Sequence, residues 1–240
     1  MAVVPYKDNS DSKRVQVETM FDNIAPKYDF LNHTLSAGID VLWRRKAIKI
    51  LQAKNPKTIL DIATGTADFA IEAIALNPDK IIGVDISEGM LAIGRKKIEK
   101  KNLQQRIVLQ NGDCEKLDFA NNSFDAITCS FGVRNFEHLQ LGLAEMLRIL
   151  KPNGTLVIIE FAQPEKFPIK QVYNFYFKRI LPVIGKLISK DTAAYTYLPD
   201  SVKAFPYGAE FVGILSSLGY TNCKAISLTF GVANIYTASK

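Results

Sequence analysis

Thr58-Ile59-Leu60-Asp61-Ile62-Ala63-Thr64-Gly65-Thr66-Ala67-Asp68 changes character half-way along. The β-branched and apolar residues at 58–62 read as a strand, and the small residues after them open on a helix. Small side chains at Ala63, Gly65 and Ala67 let backbone N–H groups approach a ligand where that helix begins. A nucleotide could sit on such a loop. It is not a dinucleotide fingerprint, because G-x-G-x-x-G needs glycines that this loop lacks. On these residues alone, a plain tight turn between strand and helix stands as the alternative.

On the C-terminal side the same alternation repeats. Further strands are predicted at 81–85, 107–110, 124–129 and 155–161, several of them continuously apolar, as parallel strands covered on both faces are. Helical spacing lies between them, most clearly in Leu139, Leu143, Met146, Leu147 and Leu150, after which Lys151-Pro152-Asn153-Gly154 stops the helix and turns the chain. This pattern predicts a Rossmann-like α/β layer sandwich around a mostly parallel sheet. Residues 12–53 read as helices ahead of the first strand, with Val17, Phe21 and Ile24 on one face and a break at Tyr28-Asp29-Phe30-Leu31-Asn32. Residues 164–206 read as a helical insertion kinked at Pro182. A last helix holds Phe211, Leu215 and Leu218 and ends at Gly219, and 223–228 meets 232–238 around Gly231 as an antiparallel hairpin. One α/β domain over 1–240 accommodates all of this.

With 48% apolar and 22% charged residues, the chain is neither disordered nor of low complexity. No apolar run reaches the roughly 18 residues needed to cross a bilayer. The N-terminus has no apolar core of a secretory signal, so a cytoplasmic protein is expected. Thirty Lys and Arg against 24 Asp and Glu leave +6, short of what a dedicated nucleic-acid binder carries, and nucleic acid is not expected as a partner. Cys114, Cys129 and Cys223, with His33 and His138, are too scattered for a disulfide framework or a zinc site, and no metal is expected.

Asp85 ends the second strand about 20 residues past Gly65, where a carboxylate can accept both hydroxyls of a ribose. It shares with Asp61 the carboxyl ends of neighbouring strands, the crevice in which open sheets bind ligands. Asp85 or Ser87 could instead cap the helix that follows. After the third strand, Gly112-Asp113-Cys114 offers a carboxylate to an adenine amino group, or is a solvated turn.

As a series, the small-residue loop and the acids after strands two and three resemble the layout of class I S-adenosylmethionine-dependent methyltransferases. SFGVRN at 130–135 narrows this, and the chain resembles the ubiquinone/menaquinone biosynthesis C-methyltransferase family. The same holds for FDNIAPKYDFLN (21–32), SAGIDVLWRR (36–45), GVDISEGML (83–91), LKPNGTLVIIEF (150–161) and YTYLPDSVKAFP (195–206). The resemblance implies a seven-stranded sheet and S-adenosyl-L-methionine as cofactor. It places cofactor contacts on Thr66, Asp85, Asp113, Cys114 and Ser130, beside the Asp61 and Gly65 read from the loop. The chain departs from the family in having Ala63-Thr64-Gly65-Thr66-Ala67 where a Gly-rich loop is common, and Asp113 where a neutral residue is common.

The resemblance further implies methylation of a ring carbon of a prenylated quinol at a membrane surface, with demethylmenaquinol favoured over the ubiquinone counterpart and a homodimer admitted as the assembly. A quinol carbon becomes nucleophilic when the neighbouring hydroxyl loses its proton, so the reaction needs a base and a dry pocket and no metal. Arg134, after strand four, is too basic to take the proton, and is expected to stabilise the quinolate in a network with Asn135, Tyr28 and Asp68. A structural ion pair is the alternative for Arg134, and His33 and His138 are lesser candidates for the base. In the insertion, the stripe Ile169, Val172, Tyr176, Phe177, Ile180, Val183 and Leu187 alternates with Lys166, Lys170, Lys178, Arg179, Lys186 and Lys190. It reads as a groove for the prenyl tail that also touches an anionic bilayer, or as an ordinary core helix. The rival functions are an RNA or DNA methyltransferase, which SFGVRN and the in-strand Cys129 disfavour, and a cofactor-binding scaffold without turnover.

Overall fold

The computed structural model describes residues 3–36, 38–180 and 193–240. Its sheet has seven strands: β1 (Thr58–Ile62), β2 (Lys80–Asp85), β3 (Ile107–Asn111), β4 (Phe124–Ser130), β5 (Leu150–Phe161), β6 (Thr221–Leu228) and β7 (Ala233–Ser239). They lie in the order β3-β2-β1-β4-β5-β7-β6. β1 to β5 pair in parallel, and β7 runs antiparallel to both β5 and β6. This is the class I methyltransferase fold. The strand order reverses between β1 and β4, which opens a crevice at their carboxyl ends. Ile59, Leu60 and Ile62 are wholly buried, as a strand with helices on both faces requires.

β5 begins five residues before the expected 155, yet the predicted turn is also there. Leu150 pairs with Phe124 and Thr155 with Ala126, so 151–154 bulge out of the ladder, and Asn153 takes a left-handed φ of +63° at the tip. The helix Ala209–Ser217 ends as its sequence predicts. Gly219, at φ +100°, donates to the Ser216 carbonyl at 3.1 Å and Tyr220 donates to that of Leu215 at 3.2 Å.

The N-terminal region differs from expectation. α1 (Lys13–Leu35) runs unbroken through Tyr28-Asp29-Phe30-Leu31-Asn32, with Pro26 inside it. The break falls instead before α2 (Ile39–Gln52), where Gly38 has φ +73°. Tertiary partners hold the polar stretch helical: the Lys97 ammonium donates to Asp29 at 3.0 Å, the Thr66 hydroxyl donates to the same carboxylate, and Tyr28 packs against the core formed by α1. Propensity yields to such contacts.

α1 lies off the sheet. Its Val17, Met20, Ile24 and Ala25 pack with Met90 of α4 (Glu88–Lys100) and with Ala194 and Tyr197 of the helix Ala193–Ala204. The Asp22 carboxylate of α1 accepts from the Ser87 hydroxyl at 2.6 Å and the Gly89 N–H at 2.9 Å, placing an acid on the positive end of α4. In the insertion, the helix Ile169–Phe175 continues into a π-helical turn, Tyr176–Ile180. The expected stripe does not simply bury itself: Val172 and Ile180 are exposed at 64% and 37%. Pro182, Val183, Lys186, Leu187 and Lys190 lie outside the described residues.

Candidate active site

Two adjoining cavities open at the carboxyl ends of the strands. The first begins at the loop between β1 and α3 (Asp68–Ala73), where Ala63, Gly65 and Ala67 take φ of +50°, +56° and +67°. A Cβ at Gly65 would meet nothing within 4 Å, so the loop faces open space. The Asp85 carboxylate crosses from β2 to accept the Gly65 N–H at 2.7 Å and, on its other oxygen, the Ser87 N–H at 2.9 Å. Burial pushes the Asp85 carboxyl up to about 6 despite those two donors. Ser87 is the cap of α4, its hydroxyl accepting the Met90 N–H at 3.1 Å, which leaves Asp85 free of that duty.

Gly65, Asp85, Asp113, Cys114, Ser130, Asn135 and Tyr28 all line this cleft, which encloses about 720 Å³ including its mouth. Arg14 of α1 reaches in to pair with Asp113 at 2.8 Å. Asn135 donates to the Phe131 carbonyl at 3.2 Å, and its Oδ1 is buried without a partner among the described residues.

Asp61, Thr66 and Asp68 do not line either cavity. Asp61 sits beneath the loop, accepting the hydroxyls of Thr64 and Thr128 at 2.6 Å each, and burial raises it to about 6. Thr66 and Asp68 belong to a polar network behind the loop. There Lys97 bonds Asp68, Thr66 and Asp29, while Asp40 takes Arg44 at 2.7 Å and His33 at 3.0 Å. His33 thus braces α1 against α2, and His138 pairs with Glu115 at 2.8 Å on the surface.

The second cavity encloses about 1650 Å³ including its mouth, and Met20, Ile24, Ile39, Trp43, Phe161 and Val232 make it largely apolar. Arg134 is the only charged residue on its described wall. The guanidinium donates to the Phe131 carbonyl and to the fully buried Glu160 at 2.8 Å, lies 5.4 Å over the Phe161 ring, and leaves Nε without a partner among the described residues. Burial pushes Glu160 up, and Arg134 offsets that only in part. Arg134 thus makes the structural ion pair, and its Nε stays unpartnered in the cavity wall among the described residues. Sequence reasoning missed Glu160, although it is the one charge in the apolar run VIIEF of β5.

Phe21, Tyr28 and Phe131 line both cavities and form the wall between them. Phe131 holds φ +58°, a strained conformation for an aromatic residue, with its N–H on the Ile159 carbonyl at 2.8 Å and its ring 4.5 Å from Phe161. Glycine follows because a Cβ at 132 would stand 2.5 Å from that of Ala63. Burial lifts the Tyr28 hydroxyl to about 12.

This construction coincides with a family relationship that spans nearly the whole chain, since the sequence profile of the ubiE/COQ5 methyltransferases matches residues 7–240. The chain belongs to the ubiE/COQ5 methyltransferase family. Among its relatives, a demethylmenaquinone methyltransferase of Bacteroides fragilis is 52% identical over 239 residues, covering 99% of this chain and 97% of the relative. A ubiquinone/menaquinone biosynthesis C-methyltransferase UbiE of Geobacter sulfurreducens is 45% identical over 230 residues, covering 95% of this chain and 90% of its own length. A SAM-dependent methyltransferase structure from Thermotoga maritima superposes with a TM-score of 0.65 at 19% identity, covering 92% of this chain and 99% of that one, and shares the fold. The ubiE/COQ5 methyltransferases use S-adenosyl-L-methionine, and the first cavity of this member fits it. The half-buried Asp85 carboxylate suits a ribose diol, the orphaned Asn135 Oδ1 awaits a donor, and the space above Gly65 is open.

Proposed function

We propose that this ubiE/COQ5 methyltransferase methylates a ring carbon of a prenylated quinol, demethylmenaquinol ahead of a ubiquinone precursor. The observation that carries the reading is the pairing of a polar cleft with a larger apolar cavity across one aromatic wall, with a single guanidinium on the apolar side. The relative from Bacteroides fragilis supports the naphthoquinol.

When bound, S-adenosylmethionine supplies an electrophilic methyl group. Asp85 would hold its ribose, Asp113 and Cys114 its base, and Gly65, Ser130 and Asn135 the rest of the cleft. Asp61 and Thr66 would support the loop from below. On the quinol side, Arg134 stabilises the ring oxygen as its proton leaves, because Glu160 and the Phe131 carbonyl fix the guanidinium with Nε free. Charge then moves to the adjacent carbon, which would accept the methyl group as the donor's carbon–sulfur bond breaks. That carbon's proton returns to the ring oxygen to restore the aromatic ring, and the hydroxyl proton lost first passes to solvent at the cavity mouth. Tyr28 and Phe131 keep water from the junction, and Asp68 acts at a distance by holding α1 in place.

Val172 and Phe230 are exposed residues of the apolar cavity's lining, and Phe167, Phe175, Lys166, Lys170 and Arg179 are exposed on the segment that carries Val172. An apolar rim set in basic residues favours approach to an anionic bilayer, where prenylated quinols reside. No described helix is long and apolar enough to cross one.

The test is incubation of the purified protein with methyl-labelled S-adenosylmethionine and a reduced lipid extract containing demethylmenaquinol. Label in menaquinone is the expected result. Label in added RNA, or none in any fraction, overturns the reading.

A further inference from the structure

The helix Ala193–Ala204 carries much of YTYLPDSVKAFP, and none of this block lines the cofactor cleft. Tyr197, 3% exposed, packs with Val17, Met20 and Met90 and faces the apolar cavity. Its hydroxyl is buried without a hydrogen-bond partner among the described residues. Packing alone would be served by phenylalanine, whereas a buried phenol left unpaired lowers stability and normally finds a partner.

Tyr197 is not alone. Arg134 Nε, on the same cavity wall, is likewise buried and unpartnered, and Asn135 Oδ1 is so on the cofactor side. Arg134 and Tyr197 both line the apolar cavity, and the helix Ala193–Ala204 packs against the turn Val133–Asn135 that carries Arg134. The orphaned groups are therefore divided by the wall of Phe21, Tyr28 and Phe131: an acceptor on one side, a donor and a hydroxyl on the other.

A 1,4-quinol has the matching shape. One ring oxygen neighbours the carbon to be methylated, and the other neighbours the carbon bearing the prenyl tail. With Arg134 on the oxygen beside the carbon to be methylated and the tail in the apolar cavity, the tail-side oxygen is left to Tyr197 on the same wall. We infer that the Tyr197 hydroxyl receives the quinol oxygen beside the prenyl-bearing carbon, while Arg134 holds the other oxygen, and so fixes which ring carbon faces the cofactor. This rests on the quinol reading above and adds a specificity-determining group to it.

Binding rather than turnover is the proper readout, because removing a ring oxygen also changes the reactivity of the ring. The probes are the methylated product quinol, held reduced, and its analogue with hydrogen in place of the tail-side hydroxyl. Both are measured as competitive inhibitors of the wild type and of Tyr197→Phe. The wild type is expected to bind the diol roughly tenfold more tightly than the analogue. Tyr197→Phe should lose that preference by weakening only the diol, with S-adenosylmethionine affinity and melting temperature close to wild type. Equal weakening of both probes, or a preference that survives in Tyr197→Phe, overturns the assignment of Tyr197 while leaving the function intact. If the variant does not fold, the wild type still decides: equal affinity for the two probes overturns the assignment, and the tenfold preference supports it. A wild type that neither binds nor methylates any prenylated quinol overturns the function and the inference with it.

Discussion

At the amino ends of the strands, Asp125 accepts the N–H groups of Lys57 and Thr58, the Thr58 hydroxyl and the Lys151 ammonium, all at 2.8 to 3.0 Å. Burial pushes its carboxyl up, but these donors outweigh burial and hold it at about 2. At the carboxyl ends, Asp61 and Asp85 have fewer donors and more burial, and both rise to about 6. There, too, lie the unpartnered Arg134 Nε and Asn135 Oδ1 and the strained Phe131. At one edge Asp125 has its oxygens satisfied by the protein itself; at the other, Asp85 and the unpartnered atoms of Arg134 and Asn135 belong to residues that border the two cavities. The first kind of acid should matter to folding, the second to binding.

Substitutions can break this contrast. The largest effect is expected at Arg134, where lysine cannot reproduce a fork that grips Glu160 and a quinolate together. Arg134→Lys should lower kcat roughly a hundredfold in single-turnover measurements and leave S-adenosylmethionine affinity nearly unchanged. Equal, small changes in both would reduce the Arg134–Glu160 pair to a brace. Next is Asp85→Ala, which should weaken S-adenosylmethionine by about 2 kcal/mol in calorimetry with little loss of melting temperature. Asp125→Ala should do the reverse, costing about 1 to 2 kcal/mol in urea denaturation at pH 7 with no change in cofactor affinity. Because the folded Asp125 carboxyl lies below its ordinary 3.8, its contribution is complete above that value and disappears as pH falls through about 2.

The smallest effect is one of pH. Asp85 must be ionised to accept both ribose hydroxyls, and its free-protein value is near 6. Cofactor affinity should therefore be level above about pH 7 and fall by at most about tenfold per unit below 6, and Asp85→Asn should flatten that profile. A wild-type profile flat down to pH 5 would place the ribose elsewhere.

The satisfied edge was the more legible in sequence. Apolar runs and turn residues located every strand to within a few residues, because two-sided burial leaves a local pattern. The lining of the cleft was legible residue by residue: Gly65, Asp85, Asp113, Cys114, Ser130 and Asn135 all border it. It was illegible where the role depends on a distant partner. Asp61 and Thr66 share the loop with Gly65 yet turn beneath it, toward Thr128 and Asp29. The YDFLN stretch looks like a loop until Lys97 and Thr66 hold Asp29 in a helix. Glu160 passes for one more strand residue until Arg134 arrives above it.

α1 carries a consequence for the order in which the protein is made. It supplies Phe21 and Tyr28 to both cavities and is synthesised ahead of the sheet, but the surfaces that bury it, Met90 and then Ala194 and Tyr197, are synthesised far later. Strands β1 to β5 can be paired while this helix still waits for its last neighbours. A nascent chain stalled before residue 193 would hold β1 to β5 and an unfinished apolar cavity, so competence to bind arises later than the parallel part of the sheet.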